Sequence, residues 1–211
     1  MSLKAWGLTP RRLAIAVAVA AVAYAMYNAW PRRMKWVHSQ LTGKKYKVKN
    51  QAGSQDVADR LAFMELRIRS FLHKASKYAP GDPVLANIGK RWSGSLAETL
   101  KDEDVAYSVG KDTISVCVRA PDGSLESENT CMFVLIHELA HVATDGYGHH
   151  PEFWANMKFL LELAEATGDY RYQDFDKKQV SYCGRQLAGS PLTCIKSGQC
   201  ESELQRRRGG N

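Results

Sequence analysis

Residues 128–154 read ENTCMFVLIHELAHVATDGYGHHPEFW. Residues 132–143 are apolar except for His137, Glu138 and His141. A continuous apolar run of this length predicts a buried helix, from about Glu128 to Ala143. The three polar residues form H-E-x-x-H. Spacing i, i+4 puts both imidazoles on one helix face, a turn apart, where both can reach one metal ion. Glu138 stands beside the first of them, placed to polarise a water rather than to ligate. By composition the pattern arises by chance about once in a hundred such chains. Two imidazoles and a carboxylate among Met, Phe, Val, Leu and Ile are costly to bury without a strong partner. A metal supplies one.

Catalytic zinc takes three protein ligands and keeps one position open. The third ligand has to come from beyond the helix. His149 and His150 are the nearest candidates, reached through a loop whose Asp145, Gly146 and Gly148 permit a sharp reversal. Adjacent side chains point apart, so only one of the two histidines can be in line. Asp145 is an alternative ligand, as are Glu162 and Glu165 on the following helix. That helix is expected to begin at Pro151, a favoured first-turn residue. Phe153, Met157, Leu160, Leu161 and Ala164 would form its apolar face, and Gly168 its end.

Upstream, Ser54 is the expected N-cap of a helix from near Gln55. Val57, Leu61, Met64, Ile68, Phe71 and Leu72 share one face of it. Pro80-Gly81-Asp82-Pro83 stops it. Residues 84–99 show no clear period, with Trp92 and Leu96 as core candidates. Val105 to Val109 and Thr113 to Val118 alternate around Gly110-Lys111-Asp112, a β-hairpin signature, and Pro121-Asp122-Gly123 makes a turn. Helix, hairpin, helix, helix is an α+β order. There is no internal repeat.

The chain has 211 residues and a formal charge of +7, which suits one globular domain with residues to spare and excludes a disordered polyelectrolyte. The charge is uneven. Residues 1–50 carry ten basic side chains and no acidic one, so the rest of the chain is net −3. Within the basic part, residues 13–30 (LAIAVAVAAVAYAMYNAW) are uncharged. As a helix they rise roughly 27 Å, close to a hydrocarbon core of about 30 Å. Signal-peptide features are also present: a basic start, a short apolar core and A-x-A sites. The basic flanks on both sides favour a retained single transmembrane helix. The larger positive count follows the span, which predicts the C-terminal domain on the cytosolic side.

The organisation expected is therefore a basic flank (1–12), a transmembrane anchor in the lipid bilayer (13–30), a basic juxtamembrane connector (31–52), a catalytic-looking domain (53–188) and a tail (189–211). Residues 32–49 are expected to meet anionic lipid headgroups, at about 1 kcal/mol per Lys or Arg. A net acidic domain speaks against nucleic acid as partner. The five cysteines are too few and too irregular for a disulfide scaffold or a second zinc site. Buried thiols, or a single disulfide in an oxidising compartment, are expected.

HELAH followed by Gly148-His149-His150-Pro151-Glu152-Phe153-Trp154 resembles the SprT and WLM zinc metallopeptidases. In those, a third His follows the H-E-x-x-H helix after a glycine-containing loop, with an aromatic four residues later. His149 and Phe153 match that spacing and His150 does not, so the resemblance selects His149 as third ligand. Residues 91–191, including Tyr182-Cys183-Gly184 and Ser190-Pro191, are also similar to metallopeptidase-like proteins of large DNA viruses. The resemblance implies a minimal zincin-like domain, Zn2+ held by His137, His141 and His149, and Glu138 as catalytic base. It also implies hydrolysis of a polypeptide by a metal-activated water, with the strand Thr113 to Val118 along the cleft. His150, Tyr147, Tyr182 and Arg185 are the candidates for transition-state support. It leaves out the N-terminal segment and the tail. No zinc ribbon or basic extension follows the catalytic helix, unlike the DNA-repair members. The alternative is a membrane-associated structural or assembly protein of a larger particle, such as a virion, that keeps the zincin fold among neighbouring subunits.

Overall fold

The structure is a computed structural model and describes residues 9–29, 34–100 and 104–209. The start of the basic flank, residues 1–8, lies outside the described residues, as do 30–33 and the last two residues of the tail. The chain divides into two units, Met1–Arg33 and Met34–Asn211.

The first unit holds α1 (Pro10–Ala29). Among the described residues no helix is long and apolar enough to cross a membrane, which overturns the anchor at 13–30 and the single-pass, cytosol-facing or virion-membrane localisation drawn from it. Arg11 and Arg12 lie inside the first turn of α1. The charge-free part from Leu13 to Ala29 rises only roughly 25 Å, short of about 30 Å. It is also rich in alanine, whose single methyl contributes little apolar surface per turn.

The second unit is α+β. A five-stranded sheet has the order β1-β2-β3-β5-β4. Its strands are β1 (Met34–His38), β2 (Lys45–Lys49), β3 (Ser95–Glu98), β4 (Ala106–Val109) and β5 (Thr113–Val116). The pairs β1–β2 and β4–β5 are antiparallel hairpins, while β2–β3 and β3–β5 are parallel. The stretch 31–52, expected as a connector, thus contributes the first hairpin. Strand alternation sends Tyr46 and Val48 into the core and leaves Lys45 and Lys47 outside. The parallel pairing of β2 with β3 requires a crossover, supplied by α2 (Ser54–Tyr78) and α3 (Pro83–Arg91).

Helix α2 buries the stripe Val57, Leu61, Met64, Ile68, Phe71 and Ala75. Its N-cap is Gly53 in the left-handed region, not Ser54. The Ser54 hydroxyl instead donates to the carbonyl of Lys49 at 2.9 Å, tying the start of α2 to the end of β2. Glu65 is buried on α2 and accepts from the Tyr46 hydroxyl, Lys44 Nζ and Arg69 Nε. Three donors offset the cost of burying that carboxylate. The ambiguous region resolves into α3 and β3. Asp82 caps α3 by accepting from the Val84 amide at 2.8 Å, with Pro83 at its first position.

Helix α4 (Glu128–Ala143) is buried along nearly its whole length, and α5 (Pro151–Ala166) packs beside it. Beyond α5 come a small hairpin of β6 (Val180–Tyr182) and β7 (Arg185–Leu187), then α6 (Thr193–Lys196) and α7 (Glu203–Gly209). The tail is not a solvated end. Arg207 lies 4.6 Å from the Phe159 ring centre, pairs with Glu203 at 2.8 Å and donates to Asn156 at 3.1 Å. Two disulfides, Cys117–Cys183 and Cys194–Cys200, replace the expected thiols or single bridge, and Cys131 is a buried free thiol.

Candidate metal centre

The centre forms where α4 ends and the chain turns back into α5. The C-terminal carbonyls of α4 would be left unpaired. Arg91 Nη1 donates to the carbonyl of Val142 at 3.0 Å, and Asn87 to that of Ala143 at 3.1 Å. Lys111 Nζ reaches the carbonyl of Thr144. Cations at this negative end of the helix dipole are favourable. The Thr144 hydroxyl also accepts from Asn156 on α5 at 2.9 Å, joining the two helices below the loop. Gly146 and Gly148 both adopt positive φ, 81° and 88°, which only glycine takes without strain. Those two reversals carry His149 back over α4.

The result is a triangle of imidazole nitrogens. Nε2 of His137 and Nε2 of His141 are 3.2 Å apart, and His149 Nε2 is 3.1 Å from each. Among the described residues this is the group of His, Cys, Asp or Glu side chains that could hold a metal ion. Four tetrahedral donors about 2.0 Å from a common centre are about 3.3 Å from one another, so the three nitrogens fit a zinc ion. Hydrogen bonding among themselves cannot satisfy three converging neutral imidazoles, each with one ring proton. Burial, then the neighbouring His141 and His149, push the His137 pKa down to about 3. Burial and neighbouring positive groups, His149 and Lys111 first, push His141 down to about 4. Both rings are therefore neutral and able to donate a lone pair near pH 7.

Phe153 underlies all three. Its ring centre is 4.9 Å from that of His137, 4.2 Å from His141 and 4.7 Å from His149. The aromatic that the resemblance singled out is thus a floor beneath the three imidazoles. Trp154 flanks His149 at 5.4 Å.

Glu138 and the three histidines line a cleft of about 500 Å³, whose opposite wall is β4, with Tyr107 and Ser108, and the following turn with Lys111. Glu138 is 4% exposed, and burial raises its pKa to about 7. A carboxyl poised near neutrality can both take and return a proton. The strand at the cleft is β4, not the one from Thr113. β5 is enclosed between β3 and β4, whereas β4 is an edge of the sheet, the position at which an extended chain can add by backbone pairing.

The other candidates separate. Asp145 is turned to Arg91, Nη2 to carboxylate 2.6 Å, and is not among the converging donors. His150 Nε2 lies 3.1 Å from the carbonyl of Asp145, in its own loop. Glu162 accepts the Leu204 amide and Glu165 pairs with Lys196. Tyr182 is wholly buried and donates to the carbonyl of Cys117. Tyr147 alone of these lines the cleft, at 96% exposure. Tyr107 and Lys111 were not singled out by the sequence. Only their place on the β4–β5 hairpin, opposite α4, marks them.

No family model matches the chain, and no solved structure matches it. It is 26% identical over 182 residues to an uncharacterized protein of Acanthamoeba polyphaga mimivirus, covering 82% of this chain and 91% of that one. It is 31% identical over 74 residues to an uncharacterized protein of Invertebrate iridescent virus 6 and 36% over 70 residues to one of Invertebrate iridescent virus 3. These shorter matches cover 34% and 33% of this chain, and less than half of either relative. The relatives are thus proteins of large DNA viruses.

Proposed function

We propose that the chain is a zinc-dependent peptidase of SprT/WLM-like type. The observation that carries this is the triangle of His137, His141 and His149 nitrogens, 3.1–3.2 Å on each side, with Glu138 beside it in an open cleft. Zinc, when bound there, supplies Lewis acidity to the scissile carbonyl and makes water a nucleophile near neutral pH. The chain's own residues do the rest. The edge of β4 holds an extended polypeptide by backbone pairing, setting its carbonyls across the cleft from α4. Glu138 takes the proton of the attacking water at its carboxylate and returns it to the leaving amine. Its buried surroundings favour the neutral form after that first transfer. Phe153 keeps the three imidazoles aligned.

The test is Glu138→Gln in the full chain with zinc supplied. Zinc content should stay at one per chain while cleavage of an unfolded protein substrate falls by 10²-fold or more. Undiminished cleavage in this variant, or wild-type protein that binds no zinc, would overturn the reading.

A further inference from the structure

A second cavity, about 690 Å³, adjoins the metal centre. It shares His137 with the centre and lies beside Trp154, which is 44% exposed. Its lining is dominated by Phe133, Met157, Leu187 and Pro191. The charged groups at its margin are engaged elsewhere. Lys158 Nζ lies 3.3 Å from Cys200 Sγ and reaches the carbonyl of Glu201, while Glu203 is held by Arg206 and Arg207. One wall is the segment 187–194, which leads into the loop closed by Cys194–Cys200. Apolar groups outweigh these few polar ones in the lining, and the volume exceeds that of a phenylalanine side chain.

We infer that this cavity receives a large apolar side chain of the polypeptide substrate, next to the bond cleaved, and so sets sequence preference. The inference rests on the peptidase reading for its occupant. Continuity through His137 is the reason for that choice: a peptide lying along β4 in the first cleft has to pass His137 before one of its side chains can enter the second cavity. A bulky apolar group seated there gains from burial, and an acidic one meets mostly apolar walls with the Glu203 carboxylate at the margin.

The probes are blocked hexapeptides of glycine and alanine carrying one Phe, Leu, Ala or Asp at each position in turn. Binding is measured by calorimetry on full-length Glu138→Gln, with and without zinc, so that turnover does not interfere. Cleavage of the same peptides is measured on the zinc-loaded wild type. The expected result is affinity about 10-fold or more higher for Phe or Leu than for Ala at one position, with Asp weakest. Ala155→Trp on α5 and Ala188→Trp on the opposite wall each fill the cavity from a position that is not deeply buried. Either should cut that preference to twofold or less. Equal affinity for all four residues, or a preference untouched in both variants, overturns the inference. If the apolar preference in binding persists but the wild type cleaves nothing, the cavity assignment stands and the peptidase reading falls. If cleavage proceeds with no apolar preference, the reverse holds.

Discussion

Nε2 of His149 lies 3.1 Å from Nε2 of His137, although twelve positions separate them in the chain. One sits in the middle of a buried helix and the other just ahead of the next helix, after a loop with two left-handed glycines. Convergence of that kind holds three lone-pair donors at one point, and the consequences can be measured.

His149→Ala should abolish stable zinc binding, leaving well under 0.2 zinc per chain after dialysis, against about one for wild type. His150→Ala should retain it, because that ring faces the carbonyl of Asp145. Metal analysis of both variants checks this. Equal loss in the two would remove His149 from its assigned place.

In the metal-free protein, stability should fall as pH drops below about 6.5. His137 and His141 titrate at about 3 and about 4 when folded, but near 6.5 when unfolded. The unfolded chain therefore binds more protons across this window. The stability is fully present above pH 6.5 and is lost as pH falls towards the folded values. By pH 4 the loss from His137 is on the order of 3 kcal/mol, with less from the more solvent-screened His141. Urea denaturation between pH 7 and pH 4, compared with His137→Leu, would reveal it. A parallel pH profile in the variant would contradict this.

Tyr182→Phe should lower stability by about 1–3 kcal/mol and leave zinc content and kcat unchanged. Its hydroxyl donates to the Cys117 carbonyl in the core, away from the cleft. A large drop in kcat with unchanged stability would restore it as a candidate for transition-state support.

Arg207→Ala should destabilise by about 1–3 kcal/mol, since its guanidinium meets Glu203, Asn156 and the Phe159 face together. Arg206→Ala should cost less, because its side chain is 64% exposed and its ion pair with Glu203 is screened by solvent. Thermal melts of the two variants compare the arginines directly.

Much of the second unit was legible in residue order. Helix α4 runs between the bounds its apolar run implied, and α5 begins at Pro151 as its first-turn proline indicated. The hairpin of β4 and β5 follows its alternation. These signals are local, carried by neighbours within a turn or a strand pair. The first hairpin was not legible, because Lys45, Lys47 and Lys49 disguise a strand whose other face, Tyr46 and Val48, is core. The parallel pairs β2–β3 and β3–β5 join residues far apart in the chain, and short polar strands carry no mark of their partners. The cysteine pairings were illegible for the same reason: Cys117 and Cys183 are 66 positions apart.

For the centre itself, the sequence alone placed the chemical groups of the helix. H-E-x-x-H on an apolar helix sets two imidazoles on one face and places a carboxylate beside them, because helical periodicity is a short-range property. Which residue closes the triangle was a choice among His149, His150, Asp145 and two glutamates. Only the tertiary structure decided it: Gly146 and Gly148 reverse the loop, Arg91 draws Asp145 away, and Phe153 supports the three rings from below. The same holds for the strand that faces the cleft. An edge is defined by the order of strands across a sheet, and that order is set by long-range packing.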